Sequence, residues 1–223
     1  MKLLNNKYNI CFDFSESNIF ELVCEKPNIY NDLVCDLYNA NNDLDSHFIL
    51  LKDDNLIEFD KNCEIIFNPF CIDINNKRNI DKFYGLLVNK SNYDEFYLRK
   101  NELFLKIFEF VNEVSFNIDF PILYDEDTEV KNLFKAINLK IDMDTSNLLE
   151  LLDSYIKITN RLQGEKIYIL INLKSFLSLK EIKMFYESAL YNKYKLILFE
   201  NIDRSDVENE RKIIIDNDGC IIA

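Results

Sequence analysis

The chain has 223 residues, a formal net charge of −13 and only three glycines, Gly85, Gly164 and Gly219. Neither G-x-x-x-x-G-K-[ST] nor G-x-G-x-x-G can be written with them, which excludes the usual glycine-rich phosphate cradles. Hydrophobic residues make up 48% of the chain, ample for one large core or two small ones, and no apolar run approaches the roughly 20 residues of a membrane span.

Tyr8, Ile10, Phe12 and Phe14 alternate with polar residues, which predicts a half-buried strand, and Ile19–Cys24 reads as a second. Ile29, Leu33, Val34, Leu37 and Tyr38 mark a helix, with Asp32 and Asp36 on its wet side. Phe48–Leu51 is a short buried strand. Leu56–Phe59 and Glu64–Phe67 read as strands on either side of a turn at Asp60–Asn62. After Pro69 the strand signals stop. Helices are expected over Asn79–Leu87, over Tyr93–Phe116 with an apolar stripe from Phe96 to Val114, and over Thr128–Ile137.

The α/β pattern resumes at Asn138. Asp144 or Ser146 caps a helix whose apolar face runs from Leu148 to Leu162, and Gly164 sits where a C-cap glycine is wanted. Lys166–Glu200 organises the whole chain. Ile167–Ile171 is a continuous apolar run, as in a strand buried on both faces. Ser178 and Glu181 form the S-x-x-E capping box of a helix, and Leu196–Phe199 is a second apolar run. This is a βαβ unit with parallel strands. Lys212–Ile215 and Cys220–Ile222 follow as short strands around Asn217–Gly219.

The six cysteines, at 11, 24, 35, 63, 71 and 220, include no C-x-x-C pair. Most read as core thiols of a reducing, cytoplasmic protein, and a zinc site is not expected. Met1–Asn6 has no signal-peptide core behind it. His47 is the only histidine, so His-based metal sites and hydrolase triads within one chain are poor expectations. The phenylalanines are spaced as core residues rather than as a base-stacking platform.

Charge is segregated. Residues 1–76 carry 5 basic and 14 acidic side chains, net −9. Residues 77–106 carry 7 basic and 4 acidic side chains, net +3. That block is either a solvated helix surface or a local basic site within an acidic protein.

The run LLELLDSYIKITNRLQGEKIYILINLKSFLSLKEIKMFYESALYNKYKLILFE closely resembles the C-terminal half of the Csn-two family, adaptation proteins of type II-A CRISPR systems. The features that carry the likeness are Tyr155, the apolar strand ending at Asn172, Phe176-Leu177-Ser178 with Glu181, and the second strand ending at Glu200. A weaker echo is Phe70–Asn76 followed by Lys77-Arg78; the first 65 residues agree only in length and element order.

The resemblance implies an α/β fold. A head with a mostly parallel sheet, similar to a P-loop ATPase without its nucleotide motifs, would span 1–76 and 139–223. An inserted α-helical leg would span 77–138. It also implies a non-catalytic, ring-shaped homotetramer that binds the ends of double-stranded DNA and is stabilised by calcium. Such a ring would act in spacer acquisition with the system's integrase proteins and its RNA-guided nuclease. The candidate DNA contacts are Lys77, Arg78, Lys82, Arg99, Lys100 and Lys106, since sequence-independent duplex binding is largely phosphate neutralisation. The candidate calcium ligands are Asp119, Asp125, Asp127 and Glu129, an irregular oxygen-rich stretch of the kind calcium accepts; acids favoured at a helix N-terminus are the alternative. Two other functions stay open. One is a metal-dependent nuclease using those carboxylates with Lys131 or Lys135. The other is an acidic protein-binding module.

Overall fold

The computed structural model describes residues 1–116, 118–125, 128–143, 146–204 and 206–222, the side chain of Asp94 excepted. In chain order the elements are β1 (Lys2–Asn5), β2 (Ile10–Asp13), β3 (Ile19–Cys24), α1 (Pro27–Asn41), β4 (Phe48–Lys52), β5 (Asn55–Leu56), α2 (Phe59–Asn62) and β6 (Cys63–Ile66). Three helices follow: α3 (Lys77–Ser91), α4 (Asp94–Ser115) and α5 (Val130–Ala136). The chain ends with α6 (Leu148–Gln163), β7 (Ile167–Ile171), α7 (Leu179–Asn192), β8 (Lys195–Glu200), β9 (Arg211–Ile215) and β10 (Ile221–Ile222). It divides into two compact units, one made of Met1–Asp73 with Met143–Ala223, the other of Ile74–Asp142.

The first unit is mixed α/β. Its six-stranded sheet has the order β10-β9-β3-β8-β7-β6 and is parallel except for the β10–β9 pair. A four-stranded antiparallel sheet, β2-β1-β4-β5, packs on one face with α1. There Leu3, Phe12, Leu50, Leu33 and Leu37 meet Phe20, Leu22, Ile169, Ile197 and Phe199 in one core. Each such side chain contributes about 1.5–3 kcal/mol on burial. Strand alternation sends Tyr168 to the opposite face, where its hydroxyl donates to Asn160 Oδ1 of α6 at 2.8 Å.

The βαβ unit forms as its pattern predicts, with β7 and β8 adjacent and parallel. The Ser178–Glu181 capping box closes in both directions. Asn147 caps α6, its side chain accepting from Glu150 N–H at 2.9 Å. Ser146 instead donates to the Glu150 carboxylate, and Asp144 lies outside the described residues. Gly164 ends α6 at φ 90, a conformation that only glycine adopts at ease.

Several expectations change. Lys2–Asn5 is a strand with no alternation long enough to announce it, and it pairs with both β2 and β4. The strand expected at Leu56–Phe59 shrinks to Asn55–Leu56, and Phe59–Asn62 forms a helical turn that Asn62 closes onto the Glu58 carbonyl. Strand β3 is not half-buried: all six of its residues are buried, between β8 and β9. Asp36 is on the inner side of α1, where it accepts from Asn5 Nδ2 at 3.0 Å and from His47 N–H. Only Cys24 and Cys63 are core thiols; Cys11, Cys35, Cys71 and Cys220 are exposed.

The second unit is helical and thinly packed. Asn75 and Ile141 exchange hydrogen bonds at 3.0 and 2.8 Å. Tyr84 is buried, donates to Leu139 O at 2.8 Å and meets Phe134 at 6.0 Å between centroids. Among the described side chains of α4 none is buried, and Leu98, Leu105, Phe110 and Val114 are largely exposed. The phenylalanines expected in a core include Phe116 and Phe120, 86% and 67% exposed. The expected stripe keeps its helical period and is half-buried at Phe96, Phe104, Ile107, Phe108 and Val111, with Phe108 stacked on Tyr124 at 5.3 Å; the exposed Leu98, Leu105 and Phe110 lie off it.

Candidate nucleic-acid interface

Lys77, Arg78 and Lys82 occupy the first turns of α3 and are all exposed. Asn76 starts that helix, its side chain accepting from Asn79 N–H at 3.0 Å, and Asn79 is fully buried. The helix therefore begins at a fixed point with its first cations facing solvent. Cations at a helix N-terminus are opposed by the macrodipole, whereas an anion there gains from both the dipole and the side chains.

Lys131, from α5, reaches the same region: its Nζ is 3.3 Å from Asp81 of α3. Lys131 and Lys100 also line one concavity of about 770 Å³ with Asn89, Asn92, Tyr97 and Glu129. Lys100 is further held by Asn92 Oδ1 at 2.6 Å and lies 5.0 Å over the Tyr97 ring.

Arg99 and Lys106 sit differently. Glu95, Arg99, Glu102, Lys106, Glu109 and Glu113 succeed one another at spacings of three and four along α4, so acids and bases share one face. The field of these two cations is offset by neighbouring carboxylates. In the first turns of α3 the acid nearest to these cations in sequence is Asp81, which Lys131 also meets.

Three of the four candidate calcium ligands lie within the described residues. Asp119 follows α4, Asp125 lies on extended chain whose carbonyl accepts from Thr128 Oγ1 at 2.8 Å, and Glu129 is the N-cap residue of α5 without a side-chain cap. Asp127 lies outside the described residues. Among the described residues no group of three or more His, Cys, Asp or Glu side chains is placed to hold a metal ion.

In the α/β unit, ligands of parallel sheets enter at the carboxyl ends of the strands. The link from β3 to α1 is only Glu25 and Lys26, and Pro27 begins the helix. Proline removes a backbone N–H at the point where a phosphate would be cradled, and the Glu25 carboxylate, accepting from Asn217 Nδ2 at 3.1 Å, puts negative charge there.

One face of that sheet carries a buried ionic cluster that the sequence pattern did not announce. Glu21, at the middle of β3, is fully buried and meets Lys174 Nζ at 2.9 Å and Lys212 Nζ at 3.2 Å. Lys174 also meets Glu210 at 2.9 Å, and Tyr186 donates to Glu210 at 2.7 Å. Burial pushes the Glu21 carboxyl up, against the pull of Lys174. The signal that could have found it is a glutamate inside an otherwise apolar strand.

Compared with known proteins, residues 38–219 match the family model "CRISPR-associated protein (Cas_Csn2)". A search among curated proteins finds no match. Among solved structures, Stu0660 of Streptococcus thermophilus is similar with a TM-score of 0.60 and 16% identity; the match covers 96% of this chain and 74% of that one. Among the described residues no helix is long and apolar enough to cross a membrane.

Proposed function

Since the chain belongs to the Csn2 family of CRISPR-associated proteins, we propose that it is a non-catalytic double-stranded-DNA-binding protein of spacer acquisition, assembled as a homotetrameric ring. The observation that carries the reading is the exposed trio Lys77, Arg78 and Lys82 on the first turns of α3, in an otherwise acidic chain. Duplex DNA carries about one negative charge per 1.7 Å of axis, so a modest cationic patch repeated by symmetry suffices. The acidic remainder keeps DNA from other surfaces.

Assembly is supported by the uncovered apolar residues of α4, which a single copy leaves in water. Calcium belongs to this proposal as a stabiliser of the assembled form, on the family likeness alone. Among the described residues Asp119, Asp125 and Glu129 form no metal-holding group within one copy. The working partners are linear duplex ends and the integrase and RNA-guided nuclease of the same system.

The test is binding to linear and small closed-circular duplexes over a salt series. A closed ring is threaded from an end, so the linear form binds and the circle does not. Equal affinity for both removes the ring, and salt-insensitive failure to bind either removes the DNA role.

A further inference from the structure

The buried cluster holds three carboxylates, Glu21, Glu200 and Glu210, against two lysines, Lys174 and Lys212. The lysines are committed. Lys174 sits between Glu21 and Glu210, both at 2.9 Å. Lys212 serves Glu21 at 3.2 Å, Asp203 at 2.8 Å and Asp206 at 2.5 Å. Glu210 accepts in addition from Tyr186 Oη and from Val207 N–H at 2.8 Å.

Glu200 is the third carboxylate. It ends β8, is fully buried, and shares the face of the sheet on which Glu21 lies, because Glu21 pairs with Leu198 two residues earlier. One oxygen, Oε1, accepts from the backbone N–H of Lys174 at 2.9 Å. The other, Oε2, is buried with no hydrogen-bond partner. An ionised carboxylate in that position would be unpaired among like charges, a state proteins relieve by taking up a proton.

The geometry points to Glu200 as a proton-binding site of the folded α/β unit: its burial, its unpartnered Oε2 and the neighbouring Glu21 favour the protonated form, and loss of the proton adds a buried negative charge at the carboxyl end of β8. The charged and titratable groups around it come from every neighbouring element: Glu21 of β3, Lys174 of the turn after β7, Arg204 after β8, Glu210 and Lys212 at β9, Tyr30 of α1 and Tyr186 of α7. Burial raises the Glu200 carboxyl to about 7; the Lys174 N–H opposes the rise and the Glu21 charge adds to it. Burial likewise pushes the Tyr30 hydroxyl up to about 12, with the Glu200 charge contributing.

The sign follows from linkage. The folded-state value lies above that of an unfolded glutamate, so the stabilisation is fully present below the unfolded value, about 4.3, and is lost as pH rises through about 7. The measurement is chemical denaturation of the full chain from about pH 5 to about pH 9, for wild type and for Glu200→Gln, which keeps the shape and cannot ionise. Over that range the folded-to-unfolded ratio of wild type should fall, relative to the variant, by on the order of a hundredfold. Parallel pH curves for the two proteins overturn the proposal. A second readout uses carboxyl-labelled glutamate: NMR of wild type should show a glutamate titrating near neutrality whose signal is missing from Glu200→Gln. If every glutamate titrates at ordinary values, the proposal fails even where Glu200→Gln does not fold.

Discussion

Lys174 reaches from the turn after β7 to Glu21 at the middle of β3, 2.9 Å away, although the two are separated by most of the chain. Removing it leaves buried Glu21 to Lys212 alone and buried Glu210 to the neutral donors Tyr186 Oη and Val207 N–H. Lys174→Met should therefore cost about 3–5 kcal/mol and lower the thermal midpoint by roughly 10 °C. Calorimetry of the full chain measures both. A destabilisation within error of zero would mean that water or another cation compensates the cluster.

Replacing Lys77, Arg78 and Lys82 with alanine should weaken duplex binding for every sequence, because phosphate contacts carry no base information. The slope of log affinity against log salt should shrink by about 0.9 for each phosphate no longer neutralised. Arg99→Ala with Lys106→Ala should cost less, since glutamates already flank both cations along α4. Filter binding over a salt series separates the two sets. Should the α3 variant keep its full slope, Lys131–Lys140 becomes the next segment to substitute.

No ATP binding or turnover is expected. Glu25, Lys26 and Pro27 occupy the strand-to-helix link where a phosphate cradle would need glycines and free N–H groups. Isothermal calorimetry and a phosphate-release assay check this; heat of tight binding or measurable release would contradict it.

Calcium should raise the thermal midpoint and favour the tetramer, since a ligand that binds only the assembled form stabilises it by mass action. Sedimentation and thermal melts, each with calcium and with chelator, measure the two effects. If a dissociable apo protein responds in neither respect, calcium is removed from the proposal.

The exposed apolar residues of α4 should be needed for assembly. Leu98→Glu with Leu105→Glu replaces side chains 67% and 61% exposed in the single copy, so the monomer should keep its fold. Light scattering should show the mass falling to 26.6 kDa with the circular dichroism spectrum unchanged. An unaltered tetramer would place the subunit interface elsewhere.

Local grammar was legible and long-range register was not. Ser178 and Glu181 announce a helix start because both halves of the capping box lie within four residues. The apolar runs of β7 and β8 announce burial on both faces for the same local reason. Nothing near Lys2–Asn5 says that it will pair twice. Nothing near Glu21 says that Lys174 and Lys212 will meet it, because both come from distant parts of the chain. Asp36 misled in the same way: its partners, Asn5 and His47, come from a strand before the helix and a loop after it. At the candidate interface the charge of Lys77, Arg78 and Lys82 could be read directly. The offsetting of Arg99 and Lys106 needed the helix face, and the approach of Lys131 to Asp81 needed the tertiary fold.

The position of β3 has a consequence for synthesis. Its neighbours on both sides, β8 and β9, are the last long strands to be made: Ile19 waits for Leu196, and Phe20 for Arg211. The first sheet, α1 and the whole helical unit leave the ribosome before the central strand has a hydrogen-bonded partner. Such non-local pairing slows folding and leaves apolar edges open meanwhile. Nascent chains halted before residue 195 should consequently be caught by chaperones and cut readily by protease, and chains released after residue 215 should resist both.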